Sequence, residues 1–107
     1  MRFLMMSMAT DEPADEQLYV EMGKFIQEMT AKGVLLATGG LAPEAVVITS
    51  AGDEVTVTDG PFAEAREAVG GFALVEVGSK EEAIELGRRF RRIVGDGRSV
   101  IQQVFGP

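Results

Sequence analysis

The residue types best suited to chemistry in this chain gather in one short segment. Thr58-Asp59-Gly60-Pro61-Phe62-Ala63-Glu64 sets two carboxylates five positions apart, and Arg66 adds a cation two residues later. A carboxylate becomes a general acid or base near neutral pH when burial raises its pKa, and a guanidinium can hold an anion. Asp59 and Glu64 are therefore the candidate catalytic residues. Asp59, Gly60, Pro61, Phe62, Arg66 and Tyr19 are the candidate ligand contacts, Tyr19 because it borders an apolar helical stripe with its hydroxyl near the edge. The same types suit a turn equally well. Asp59 can accept backbone N–H bonds from the segment after Pro61, Gly60 can take an angle denied to other residues, and Phe62 can plug the core.

The rest of the composition narrows the chemistry. There is no cysteine and no histidine, which removes thiolate catalysis, disulfides, thiolate-held metals and the usual base near pH 7. No metal or cofactor is expected. Asp11, Glu12, Asp15 and Glu16 lack the spacing and central glycine of a calcium loop and read as an acidic helix start. Gly39-Gly40 and Gly70-Gly71 lack the phosphate-loop spacing and read as strand ends or bulges. Arg88, Arg89, Arg91 and Arg92 follow Glu81, Glu82 and Glu85, the order that suits a helix dipole, and read as a solvated face. A net charge of −7 disfavours direct nucleic-acid binding. No apolar run approaches the roughly 18 residues of a membrane span, and the cytoplasm is the expected compartment.

The elements that must position these groups follow from periodicity. Phe3 to Met8 is a strand apolar on both faces. Thr10 to Ala14 is a turn. Between Asp15 and Lys32, Leu18, Met22, Phe25, Ile26 and Met29 fall at i, i+4, i+7, i+8 and i+11, one helical stripe that Gly33 terminates. Val34 to Thr38 is a strand broken by Gly39-Gly40. Ala45 to Thr49 and Glu54 to Thr58 form a hairpin around Ser50-Ala51-Gly52-Asp53. Ala63 to Val69 is a short helical segment opened by Pro61. After Gly70-Gly71, Phe72 to Val77 is a central strand. Ser79 and Glu82 form a capping box for a helix packed through Ala83, Ile84, Gly87, Phe90 and Val94. Ser99 to Phe105 is the last strand. Met5, Met6, Met8, Met22 and Met29 either fill core and interface or line an adaptable pocket.

The 107 residues make one domain, spanning 1–107. Its order is that of an α+β fold of the ferredoxin-like type, βαββαβ with an inserted β-hairpin, an antiparallel sheet and both helices on one face. Strands apolar on both sides need a second cover. A second copy of the sheet supplies it, so a homodimer is expected.

Thr58 to Glu64, with Gly70-Gly71-Phe72 downstream, resembles the DGPF-type proteins of the YCII-related family. The resemblance extends over nearly the whole chain, through the Met-rich first strand, Gly39-Gly40-Leu41, the hairpin and Ser79 to Ala83. It implies a ferredoxin-like dimeric α+β barrel with a cleft beside the motif loop. It also implies a link to sigma factors of the extracytoplasmic type, hence a sigma-factor-related partner. Wider relatives are thought to use a histidine–aspartate pair, whose histidine this chain lacks. Ala65-Arg66 stands where the family often has Thr-Lys, so the charge is kept and the hydroxyl lost.

Three functions fit these residues. The first is a small-molecule binding or regulatory domain with a cleft between helix and sheet. The second is a cofactor-free enzyme using Asp59 or Glu64 as acid or base, with Arg66 or Tyr19 orienting an anion. The third is a protein-interaction adaptor linked to transcription.

Overall fold

The computed structural model describes residues 1–8, 15–60 and 69–106. The expected turn at 10–14 and the short segment at 61–68, with Pro61, Phe62, Glu64 and Arg66, lie outside the described residues. The elements are β1 (Arg2–Met8), α1 (Glu16–Ala31), β2 (Leu35–Gly40), β3 (Val46–Ala51), β4 (Glu54–Asp59), β5 (Val69–Glu76), α2 (Lys80–Val94) and β6 (Ser99–Val104).

Both helices begin where their caps dictate. The Asp15 side chain accepts from the Leu18 N–H at 2.8 Å, and Gly33, at φ 72°, follows the last turn of α1. Ser79 Oγ accepts from the Glu82 N–H at 3.2 Å, while the Glu82 carboxylate reaches back to the Gly78 N–H at 2.8 Å. The capping box is thus present but closes one residue earlier than its usual form.

Four strands form one antiparallel sheet in the order β2-β5-β1-β6. The split β-α-β arrangement is compatible with the expected ferredoxin-like fold. Alternation along β1 sends Phe3, Met5 and Ser7 to one face. Phe3, Val75, Val77 and Ala83 form the buried cluster on that face, backed by Met5, Leu35, Ala73, Leu86 and Ile101. Both helices lie there. Leu4 and Met6 point the other way, opposite Leu74 and Phe72 on β5 and Gln102 and Val100 on β6. Among the described residues of that second face, none is buried.

The glycine pairs lie at a strand end and a bulge, as expected, but inside the ladders: β2 runs on through Gly39-Gly40, and β5 begins before Gly70-Gly71. Gly39 and Gly40 pair with Phe72 and Gly71, and Gly70 sits at a register shift between the Ser7–Gly71 and Met8–Val69 pairs. A Cβ at Gly71 would lie 3.3 Å from the Gly39 carbonyl oxygen, so the two backbones approach too closely for a side chain. Val69 accordingly opens β5 instead of closing a helix.

β3 and β4 pair only with each other, as a separate two-stranded sheet. Gly52, at φ 61°, occupies the first central position of their two-residue turn, where glycine relieves strain. The register puts Val46, Ile48, Val55 and Val57 on one side, each more than half exposed.

A domain with so few buried residues depends heavily on each one. Phe3→Ala should lower unfolding free energy by about 3–5 kcal/mol, read from urea denaturation of the purified protein. A loss under about 1 kcal/mol would place the core elsewhere.

Candidate functional site

The helices do not press evenly on the sheet. Near the start of α2, Ala83 and Gly87 are buried, and a Cβ at Gly87 would lie 3.0 Å from Ile101 Cδ1. Here helix and strand are in close contact. Further along, the sheet loses its large side chains. Gly40 pairs with Gly71, Gly71 with Ser7, and Ser7 with Ser99, so one rung across all four strands carries only small residues. Ala73 lies beside that rung, opposite Met5.

A cavity of about 110 Å³ opens above it. Met22, Phe25 and Met29 of α1 and Leu86 and Phe90 of α2 form its roof, and Met5, Ser7, Ala73 and Ser99 belong to its floor. The wall is almost wholly apolar. Two of its few polar atoms are the hydroxyls of Ser7 and Ser99. Thr38 also borders the space, but its hydroxyl donates to the Phe72 carbonyl at 2.8 Å.

Two arginines contact residues that line the cavity. Arg89 pairs with Glu28, joining α2 to α1, and its guanidinium lies 4.9 Å above the Phe25 ring. That hydrogen bond holds the Glu28 carboxyl below its usual pKa, against a smaller opposing effect of desolvation. Arg91 turns inward instead. Its Nη1 donates to Ser99 Oγ at 3.2 Å and Ser7 Oγ at 3.3 Å, and its Nη2 donates to the Gly95 carbonyl at 2.8 Å.

The expected solvated arginine face is thus correct in part. Arg88 pairs with Glu85 and Arg89 with Glu28, and Arg92 is exposed, but Arg91 is half-buried against the sheet. Sequence reasoning passed over it although the signal was there. Arg91 stands four residues after Gly87 and eight after Ala83, on the packing stripe of its own helix. The methionines divide similarly: Met5, Met22 and Met29 line the cavity, whereas Met6 belongs to the open face.

Asp59 ends β4 opposite Val46 and is exposed, and the following Gly60 N–H donates to the Ala45 carbonyl at 2.8 Å. Tyr19 is 67% exposed on α1. Neither lines the cavity. Of the motif, only Thr58, Asp59 and Gly60 fall within the described residues; Glu64 and Arg66 lie outside them.

The sheet order, the two helices on one face and the cavity between them are the frame against which family likeness can be weighed. Residues 1–99 match the model of the YCII-related domain. The chain belongs to this family. Comparison with curated proteins gives no match. Among the described residues of this YCII-related domain, no helix is long and apolar enough to cross a membrane.

The Glu28–Arg89 pair gives the cavity roof a pH dependence. Because the folded carboxyl titrates below its unfolded value, its contribution is complete above the ordinary glutamate range and is lost as pH falls through the folded pKa. Arg89→Ala should raise the Glu28 pKa toward that ordinary value in a carboxyl-detected NMR titration. An unchanged midpoint would show that the pair does not persist in solution.

Proposed function

We propose that this YCII-related domain binds a small, largely apolar molecule in the helix–sheet cavity and works as a homodimer. The observation that carries the binding reading is the rung of small residues beneath the helices. It removes floor side chains where the roof is methionine, isoleucine, leucine and phenylalanine. Methionine side chains adapt to irregular guests, and an apolar hollow stays dry until something apolar enters it. Pockets between secondary-structure layers, apolar with a few polar groups, are the common form of a ligand site.

Dimerisation is supported by surfaces that one chain leaves open. Leu4, Met6, Leu74 and Val100 share the sheet face without helices, and none of them is buried. The hairpin adds Val46, Ile48, Val55 and Val57 on one side. Contiguous apolar surface of this kind marks an interaction site. A second copy offers the same sheet face in return, the self-complementary arrangement of a two-fold dimer.

Two measurements test the proposal. Methionine methyl NMR across a panel of small metabolites should show shifts at Met5, Met22 and Met29 and not at Met1. A panel that moves none of the three overturns the binding reading. Sedimentation velocity should give a dimer for the wild type and a monomer for Leu74→Lys, whose charge would be trapped in the interface. A wild type that is monomeric over a wide concentration range overturns the dimer.

A further inference from the structure

Packing alone does not account for Arg91. It lies on the inward side of α2, and among the described residues no carboxylate is paired with it. Its Nε is buried and, among the described residues, has no hydrogen-bond partner. A half-buried guanidinium with one nitrogen sealed from water and no counter-charge among the described residues is incompletely compensated. The turn after α2 also meets its head group. The Gly95 carbonyl accepts from Nη2, and Gly97, at φ 148°, leaves out a Cβ that would overlap the same nitrogen.

The arginine also sets the two cavity hydroxyls. Nη1 donates to both Ser7 Oγ and Ser99 Oγ, occupying a lone pair on each. A serine hydroxyl still has one proton to donate. Among the described residues, neither hydroxyl donates to another group. Both protons are therefore available to the cavity the serines line, polarised by the guanidinium behind them.

We infer that the cavity takes a small carboxylate with an apolar body. The carboxylate accepts from the Ser7 and Ser99 hydroxyls, and Arg91 behind them supplies the counter-charge. The body lies among Met5, Met22, Phe25 and Phe90. This rests on the ligand-binding reading above and adds the chemical class of the ligand. The hollow, about 110 Å³, is smaller than the roughly 150 Å³ enclosed cavity able to hold benzene, so the body is a short branched chain, or at most one ring that reaches into the open mouth. A neutral alcohol of the same shape fills the space but leaves the cation uncompensated. Inorganic phosphate meets the hydroxyls but forfeits the apolar wall.

The test titrates benzoate, benzyl alcohol and inorganic phosphate into the protein, following the methionine methyl signals. Benzoate should bind about tenfold or more tightly than benzyl alcohol, as expected for a charge-assisted hydrogen bond in a desolvated site. Phosphate should leave the methionine signals unmoved. The double variant Ser7→Ala/Ser99→Ala keeps Arg91 and should bind both aromatic probes equally. Arg91→Met should behave the same way if it folds, and the serine variant decides the matter if it does not. Equal affinity of the wild type for benzoate and benzyl alcohol overturns the carboxylate assignment while leaving the cavity a ligand site. A benzoate preference that survives in the serine variant overturns the placement of the head group. Binding of neither aromatic probe overturns this inference, and the broad metabolite panel then decides separately whether the cavity is a ligand site at all.

Discussion

A layer of two helices has the width of one sheet face and no more. Four strands at about 4.8 Å spacing, together with their side chains, span roughly the 20 Å that two helices of about 10 Å each can cover. In this chain α1 and α2, of 16 and 15 residues, lie together over Phe3, Val75 and Val77. Every residue in the buried apolar core belongs to that side or to the helices themselves. The side chains of Leu4, Met6 and Leu74 are as apolar as those beneath the helices, but no element among the described residues covers them. The hairpin does not answer the need, because it pairs only with itself and exposes its own valines and isoleucine. In the proposed dimer a second copy would supply that cover.

The same scarcity of cover gives meaning to the hollow on the helix side. Protein interiors approach crystal packing, and voids larger than a water molecule are few. At about 24 cal/mol per Å³, a space of 110 Å³ forgoes roughly 2.6 kcal/mol of packing. That is a substantial fraction of the 5–15 kcal/mol typical of a whole domain. Filling it would be simple in principle, since Ala73 and Ser7 have room above them for longer side chains. At the Gly87–Ile101 contact the same two layers already meet closely, so the looseness is local. It coincides with the one rung where four strands carry Gly, Gly, Ser and Ser.

Much of the architecture was legible in the sequence because it is written in local periodicity. The stripe from Leu18 to Met29, the Ser79 cap, the hairpin turn at Gly52 and the apolar strands at 3–8 and 72–77 each declare themselves within a dozen residues. The glycine pairs misled on the boundaries, since a strand-ending turn and a close backbone approach use the same residue. What separates them is the cross-strand partner: Gly40 meets Gly71 thirty-one positions away. The cavity was hidden for the same reason. Its rung joins residues from four distant segments, and no short window along the chain contains more than one of them. The motif around Asp59 drew notice by its charge, yet the apolar hollow is built from residues that looked like ordinary core.

Arg91 shows how composition and periodicity can disagree within one helix. Counted as a cluster, Arg88, Arg89, Arg91 and Arg92 describe a basic helix end, favourable to the dipole and solvated. Placed at about 100° per residue, they diverge: Arg91 falls roughly 70° from the centre of the stripe made by Ala83, Gly87, Phe90 and Val94, nearer than Ile84. Three of the four arginines then behave as the cluster predicts, and the fourth is carried under the helix. Its observed partners, two hydroxyls and a carbonyl, are all neutral. Neutral dipoles can solvate a guanidinium, but they leave its charge in place. A partly buried network that stops one charge short is either a weakness in the core or a receptor for the missing ion. The unpaired Nε, and the contact of Nη1 with two serines that line the cavity, weigh toward the second.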